Sequence, residues 1–242
     1  MHLHVCATRL QLGAAAGGAV AAEIRRLIAE RGRAVGIFAA APSQIETLAV
    51  LVQAQGIDWP RVTAFHLDEY LGFEETHPQS FRCFLRQYLL SIIAIGTFHG
   101  IRGEASDPAA ECARYAALLR ADPPDFALLG IGENGHLAFN DPPVADFDDP
   151  LLVKVVTLDD ACRRQQVHDG AFAALIDVPE RAVTVTIPAI VGVPKLFLAV
   201  PGERKKKAVG VALQGPLTTA CPASILRIHP EAYLFLDQAS AG

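Results

Sequence analysis

Short runs of apolar residues alternate along the chain with longer segments in which apolar residues recur every three or four positions. The short runs predict strands and the longer segments predict helices. The predicted strands cover residues 3–6, 34–39, 62–66, 126–129, 153–157, 182–187, 196–200 and 233–236. The predicted helices cover residues 12–31, 43–55, 79–93, 108–119 and 203–213.

This alternation of strands and helices is typical of α/β proteins. Successive parallel strands need a crossover, and a helix on either face of the sheet supplies it. We therefore predict a doubly wound, mostly parallel sheet with helices on both faces, in the Rossmann-like manner. No linker, repeat or low-complexity segment divides the 242 residues, so the chain is predicted to form a single domain over residues 1–242.

Composition narrows the classes of partner. A net charge of −5 and a pI near 5.9 offer no basic surface for nucleic acid or for an anionic membrane, and no segment has the length of a membrane span. The five cysteines are scattered and lack a CxxC spacing, which favours reduced thiols in the cytoplasm over disulfides or a zinc site. We expect no metal and no cofactor.

The segment GIGENGHLAFND, residues 130–141, directly follows the apolar run 126–129. It brings His136 and Asp141 to the end of a predicted buried strand, where parallel sheets keep their chemistry. A histidine in a glycine-rich loop is more often an ordinary hydrogen-bonded residue than a catalyst, so this segment alone does not establish a site.

A second strand-exit segment, VTAFHLDEYLGF at residues 62–73, carries the adjacent carboxylates Asp68 and Glu69. Such a pair is usually a solvated turn or a helix cap. A histidine and carboxylates at two strand ends nevertheless suggest proton-transfer catalysis on a small molecule.

Two segments are candidates for binding an anion. After the strand at 34–39, Pro42 and Ser43 resemble the start of a helix with Ser43 as N-cap and Glu46 three residues later, and free amides there suit a phosphate. An ordinary capping box explains the pattern equally well. After the strand at 196–200, the sequence PGERKKK places Lys205 at the start of another helix.

Together these segments resemble the family of glucosamine-6-phosphate deaminases, also called isomerases, which share a fold with 6-phosphogluconolactonases. HLDEYLGF with the following HPQSF resembles the block around the family's proton-transferring aspartate, and GIGENGHLAFND resembles the block around its ring-opening histidine. CPASILRIHP at residues 221–230 resembles the closing segment. The order and separation of the blocks agree over most of the chain.

The resemblance implies a role for each matching residue. Asp68 would carry a proton between two sugar carbons, with Glu69 setting the charge of that site. His136 would assist ring opening and Asp141 would orient it, with Asn134 beside them. Ser43 and Lys205 would bind the phosphate of a sugar-phosphate substrate. Gln44, Gly135 and Arg164 would complete the binding site, although Arg163 could take the place of Arg164.

The sequence departs from the family pattern at three places. Ala40–Ser43 replaces a glycine-rich loop of the type TGGT, Asn134 stands where some deaminases have aspartate, and Asp141 stands where glutamate is common. The implied reaction is isomerisation and deamination of glucosamine 6-phosphate, and the oligomeric state is left open between a monomer and a homo-oligomer. Two alternatives stay open: a lactonase in which His136 activates water, and a sugar-phosphate sensor without turnover.

Overall fold

The computed structural model describes all 242 residues and contains a seven-stranded parallel sheet. In the order in which they lie side by side, its strands are β1 (His2–Cys6), β10 (Ala232–Asp237), β9 (Lys195–Val200), β6 (Phe126–Leu129), β2 (Ala34–Phe38), β3 (Val62–His66) and β5 (Thr97–His99). Every pair of neighbours is parallel. The predicted α/β class and parallel sheet are confirmed.

Helices cover both faces of this sheet, as predicted. They are α1 (Arg9–Arg31), α2 (Ile45–Val52), α3 (Phe81–Leu85), α4 (Pro108–Ala121), α5 (Asp160–His168), α6 (Ile187–Val191), α7 (Lys206–Gln214) and α8 (Gln238–Ala241). A π-helical turn, Arg86–Leu90, continues α3. None of the helices combines the length and the apolar character that crossing a membrane requires.

The alternation of side chains along each strand explains the two covered faces. On β2, Ala34 and Phe38 join a core of 21 buried residues shared with α1 and α2, whereas Val35 and Ile37 join a core of 33 residues shared with α4 and α6. On β6, Phe126 and Leu128 face the first core and Ala127 and Leu129 the second. Strands buried on both faces appear in the sequence as continuous apolar runs.

Two of the predicted strands lie outside the parallel sheet. β7 (Val153–Thr157) and β8 (Arg181–Val185) pair antiparallel, and β4 (Asp68–Tyr70) joins them in a separate three-stranded sheet. The sequence prediction placed β7 and β8 in the main sheet because the apolar pattern of a strand does not reveal which other strand it pairs with. It missed β4, β5 and α5, which are short or polar.

The predicted N-cap at Ser43 is wrong. Ser43 lies inside a 3-10 turn, Pro42–Gln44, whose N-cap is Ala41, and α2 begins only at Ile45. No side-chain cap bond forms at either start, and Glu46 instead pairs with Arg9 from α1 at 2.6 Å. The proline fixes the turn one residue earlier than the capping pattern suggests.

The strand order places a crevice outside the carboxyl ends of the central strands of the main sheet. From β2 the chain proceeds to β3 on one side, whereas from β6 the sheet continues through β9 on the other side. In open α/β sheets, ligands bind outside the carboxyl ends of the strands where the order reverses in this way. The segments that leave β2, β3, β6 and β9 all meet there.

Candidate active site

A pocket of about 510 Å³ opens at the carboxyl ends of these four strands. Each strand contributes the residues that follow it: Ala39–Ser43 after β2, Leu67 and Asp68 after β3, Gly130–Gly132 after β6, and Pro201–Lys205 after β9. His136 and the end of α5 close one side. The pocket therefore unites the four segments that the sequence singled out separately.

His136 and Asp141 form a buried pair at the back of the pocket. Nδ1 of His136 lies 2.8 Å from Oδ1 of Asp141, which is itself completely buried. Burial alone raises the pKa of the Asp141 carboxyl, but the charge of His136 and the hydrogen bonds of Asp141 outweigh burial and leave that pKa below its usual value. An imidazole held in this way through Nδ1 presents Nε2 for proton exchange.

Asn134 supports the pair from both sides. Its Nδ2 donates to Oδ1 of Asp141 at 3.0 Å, and its Oδ1 accepts from the backbone N–H of His136 at 3.1 Å. The backbone N–H of Asp159 approaches Oδ2 of Asp141 at 3.4 Å. Asn134 is thus a positioning residue for the pair. A neutral amide can fill this role because its nitrogen donates a hydrogen bond and its oxygen accepts one.

The glycines of this loop are required by its shape. A Cβ on Gly132 would lie 2.2 Å from Cε1 of His136, so only glycine lets the imidazole pack against the backbone. Gly135 has a φ of 86° and lies close to Cys221, whose Sγ would be 2.7 Å from an added Cβ. Ala138, which lines the pocket, is the one non-glycine residue with a positive φ, at 51°. Such backbone strain is concentrated at functional sites.

Asp68 faces the pocket and makes no hydrogen bond or ion pair with the protein. It is 8% exposed, and that exposure is toward the pocket that it lines. Burial raises the pKa of its carboxyl well above the usual range, and the charges of Glu69 and Asp141 raise it further. A carboxyl group without a protein partner and with a raised pKa has the properties of a general base.

Glu69 points the opposite way along β4, into the protein. Its carboxylate accepts hydrogen bonds from three backbone N–H groups, of Tyr70, Phe81 and Arg82, and from the Ser80 hydroxyl. It also pairs with the buried Arg82 guanidinium at 3.2 Å. Glu69 does not line the pocket; it anchors α3, and it acts on Asp68 only through its charge.

The opposite end of the pocket is cationic. Lys205 is 8% exposed, and its ammonium group makes no hydrogen bond or ion pair with the protein. Burial lowers the pKa of its ammonium group, and the charges of Asp169 and Glu133 oppose that shift. Ser43 lies across from it, with its hydroxyl accepting from Nε2 of Gln44 at 3.0 Å. An anion entering here meets an unpaired charge.

Two arginines that the sequence analysis did not select extend this end of the pocket. Arg9 donates through Nη2 to the carbonyl of Pro42 at 2.6 Å, so it holds the loop Ala40–Ser43 as well as carrying charge. Arg204 lies beside Lys205 and pairs with Asp169 at 3.0 Å. Arg9 is the first residue of the alanine-rich helix α1, far in sequence from the family motifs, so only the fold reveals its position.

The remaining selected residues lie elsewhere. Arg164 does not line the pocket: α5 turns Cys162 and Gln165 inward, which leaves Arg164 on the solvent side, 3.9 Å from Asp160. Arg163 is also outside and donates to the carbonyls of Leu175 and Val178. Gln44 is completely buried behind the pocket, where its Nε2 also donates to the carbonyl of Ala199. Gly135 shapes the loop and does not line the pocket.

The sequence analysis missed the pocket residues of α5. Gln165, Gln166 and His168 on α5 and Asp169 directly after it line the pocket, and Oε1 of Gln165 accepts from the backbone N–H of Glu133 at 2.7 Å. The segment is polar and carries no family motif that we recognised. Its amide side chains suit the hydroxyl groups of a sugar.

Residues 7–234 match the model of the family described as glucosamine-6-phosphate isomerases/6-phosphogluconolactonase. The chain belongs to this family. Among curated relatives, a glucosamine-6-phosphate deaminase of Cellvibrio japonicus is 38% identical over 79% of this chain and 73% of its own length. A glucosamine-6-phosphate deaminase of Lactobacillus delbrueckii subsp. bulgaricus is 33% identical over 90% of each chain.

Solved structures of family members have the same fold. A monomeric glucosamine-6-phosphate deaminase superposes with a TM-score of 0.91 at 28% identity, covering 100% of this chain and 99% of that one. A 6-phosphogluconolactonase of Thermotoga maritima superposes with a TM-score of 0.80 at 18% identity, covering 98% and 99%. The second similarity concerns the fold alone.

Proposed function

We propose that this protein is a glucosamine-6-phosphate deaminase, which converts glucosamine 6-phosphate and water to fructose 6-phosphate and ammonia. The observation that carries the proposal is the joint presence in one pocket of Asp68, which has no protein partner, and His136, which is held by Asp141. Curated deaminases that are 33–38% identical over most of the chain support it.

The first step opens the pyranose ring. Nε2 of His136 accepts the proton of the anomeric hydroxyl and returns a proton to the ring oxygen as the C1–O5 bond breaks, which gives the open-chain aldehyde. The geometry favours this role because Asp141 lies against Nδ1, which leaves Nε2 as the ring nitrogen for proton exchange, and because His136 lines the pocket. Positioning a base in this way is a large part of its catalytic effect.

The second step moves a proton between carbons. Asp68 removes the proton from C2, which bears the amine, and delivers a proton to C1, while the amine nitrogen loses a proton and O1 gains one, so that the aldose becomes an imine of the ketose. Addition of water to the imine carbon then releases ammonia and leaves the C2 carbonyl of fructose 6-phosphate. A carboxyl with a raised pKa is a stronger base than an ordinary aspartate once it has ionised.

The phosphate is placed at the cationic end. Lys205 supplies an unpaired charge, and the Ser43 hydroxyl lies across from it. Arg9 holds the loop Ala40–Ser43 through the Pro42 carbonyl and adds a second positive charge to the phosphate site. The phosphate then fixes the sugar with its reacting carbons toward Asp68 and His136.

A lactonase function is less well supported. Hydrolysis of a lactone needs an activated water but no base for a C–H proton, so it gives Asp68 no task in the pocket. The similarity to solved lactonases lies at 16–22% identity and concerns the fold alone.

The test is to measure ammonium and fructose 6-phosphate released from glucosamine 6-phosphate by the purified protein. We expect the two products in equal amounts, and their loss in His136→Ala with the fold preserved by circular dichroism. Absence of both products from the folded wild-type protein would overturn the proposal.

A further inference from the structure

A buried cysteine lies against the histidine and aspartate pair, and the proposed reaction does not use it. Cys162, on the inward face of α5, is 1% exposed. Its Sγ, a carboxylate oxygen of Asp141 and an imidazole nitrogen of His136 all lie within 4.8 Å of one another. The three residues come from two separate segments, so the cluster is produced by folding and not by a local sequence motif.

We propose that these three side chains form a binding site for a thiophilic divalent cation such as Zn²⁺, which would hold His136 and thereby switch the enzyme off. Cysteine sulfur, imidazole nitrogen and carboxylate oxygen are the ligands that Zn²⁺ uses in proteins. Three protein ligands with water in the fourth position is the arrangement of an exchangeable zinc site. Of the three residues only His136 lines the pocket, so an ion would reach the buried cluster past the imidazole.

The charges around the cluster favour a cation. Three carboxylates, those of Asp141, Asp68 and Asp159, interact electrostatically with the Cys162 thiol. The positive charge of Lys205 also interacts with it. Because burial and these carboxylates raise the pKa of the Cys162 thiol, the free protein keeps the sulfur protonated. A bound metal ion would replace the thiol proton, which leaves to the solvent, so that no oxidant or other reactant is needed.

The ligand set also predicts which ions bind. Thiolate and imidazole favour Zn²⁺ and Co²⁺ over Mg²⁺ and Ca²⁺, which prefer six or more oxygen ligands. A physiological excess of Mg²⁺ is therefore expected to leave the site free. The ion would take the imidazole and the carboxylate that otherwise hold each other at 2.8 Å, and ring opening would stop.

Cobalt absorption tests the site independently of the enzyme's activity. Chelator-treated protein titrated with Co²⁺ is expected to develop a thiolate-to-cobalt charge-transfer band and the visible bands of a tetrahedral ion, and Zn²⁺ should remove both. Cys162→Ala should lose the charge-transfer band. Cys162→Ser should weaken Co²⁺ binding by about tenfold to a hundredfold or more, because removing even a residue that only hydrogen-bonds to a metal ligand lowers metal affinity by that factor.

Cys112→Ala is the matched control, because Cys112 is also buried but lies on α4 among apolar residues. It should keep the band. A folded wild-type protein without a charge-transfer band, or a band that survives in Cys162→Ala and Cys162→Ser, would overturn the proposal. These outcomes are independent of the substrate, so they would leave the proposed deamination to its own test.

Discussion

At one end of the pocket His136 and Asp141 are buried and held by Asn134, whereas at the other end the cations Arg9 and Arg204 keep side chains that are 42% and 55% exposed. Proton transfer at the first end depends on hydrogen bonds with fixed geometry. Anion binding at the second end depends mainly on charge, and its strength changes little with small displacements. Changes at the first end should therefore lower kcat, and changes at the second should raise KM.

The largest effect is expected for Asp68→Asn. It should lower kcat by about 10²–10⁴-fold, the contribution of a positioned general base, because an amide cannot accept the C2 proton. Initial rates on glucosamine 6-phosphate measure this. Asp148→Asn, at an exposed position, is the control and should retain the wild-type kcat. Wild-type turnover by Asp68→Asn would remove Asp68 from the mechanism.

The same substitution should stabilise the protein. Because the folded state raises the pKa of Asp68, it holds the proton at pH values where the unfolded chain, with a pKa of about 4, has released it. Wild-type stability at this site therefore falls as pH rises from about 4 through the raised pKa. Thermal melting should show a gain for Asp68→Asn that is larger at pH 8 than at pH 4, and an equal gain at both would contradict the shift.

Substitution of the neighbouring Glu69 should instead destabilise the protein. Glu69→Ala removes the buried partner of Arg82, which keeps only the exposed Glu104, and takes an acceptor from three backbone N–H groups, so we expect a loss of about 3–5 kcal/mol in the free energy of unfolding. Urea unfolding measures it. Glu104→Gln, at the exposed partner of Arg82, should cost much less. Comparable losses in the two variants would contradict the anchoring role.

Gly132→Ala tests the geometry of the histidine without touching its chemistry. The new Cβ would collide with the imidazole and displace it, and a displacement of about 1 Å is enough to lower kcat by about 10²-fold. Gly210→Ala is the matched control, since a Cβ there meets nothing within 4 Å. If both variants turn over like the wild type, the histidine does not need its present position.

Lys205→Gln tests the cationic end. Loss of one charge-assisted hydrogen bond, worth about 1.5–3 kcal/mol, should raise KM for glucosamine 6-phosphate about 10–100-fold. Arg204→Gln should change KM less, because Arg204 already shares its charge with Asp169 and Glu133. Glucosamine without phosphate should not distinguish Lys205→Gln from the wild type. A lower kcat with unchanged KM would contradict the assignment of this end to the phosphate.

Sequence reasoning recovered the parallel sheet because its central strands are buried on both faces and appear as uninterrupted apolar runs, such as Phe126–Leu129. It also found Asp68, His136 and Lys205, because each lies in a segment that follows a strand whose end faces the crevice. It could not assign β7 and β8 to a second sheet, since pairing between strands distant in sequence leaves no local pattern.

The residues that sequence reasoning placed incorrectly or missed depend on side-chain direction. The adjacent Asp68 and Glu69 point to opposite sides of β4, so one faces the pocket and the other the core. Arg164 lies on the outer side of α5, and Cys162 on the inner side. Arg9 reaches the pocket from the first residue of α1, where it contacts the Pro42 carbonyl and Glu46.

The most direct test of the account is a proton NMR time course in D₂O with equal amounts of glucosamine 6-phosphate and 6-phosphogluconolactone. The account predicts that the C2 proton signal of the amino sugar disappears as ammonium and fructose 6-phosphate accumulate, while the lactone decays only at its spontaneous rate. Accelerated hydrolysis of the lactone with an unchanged C2 signal would contradict it.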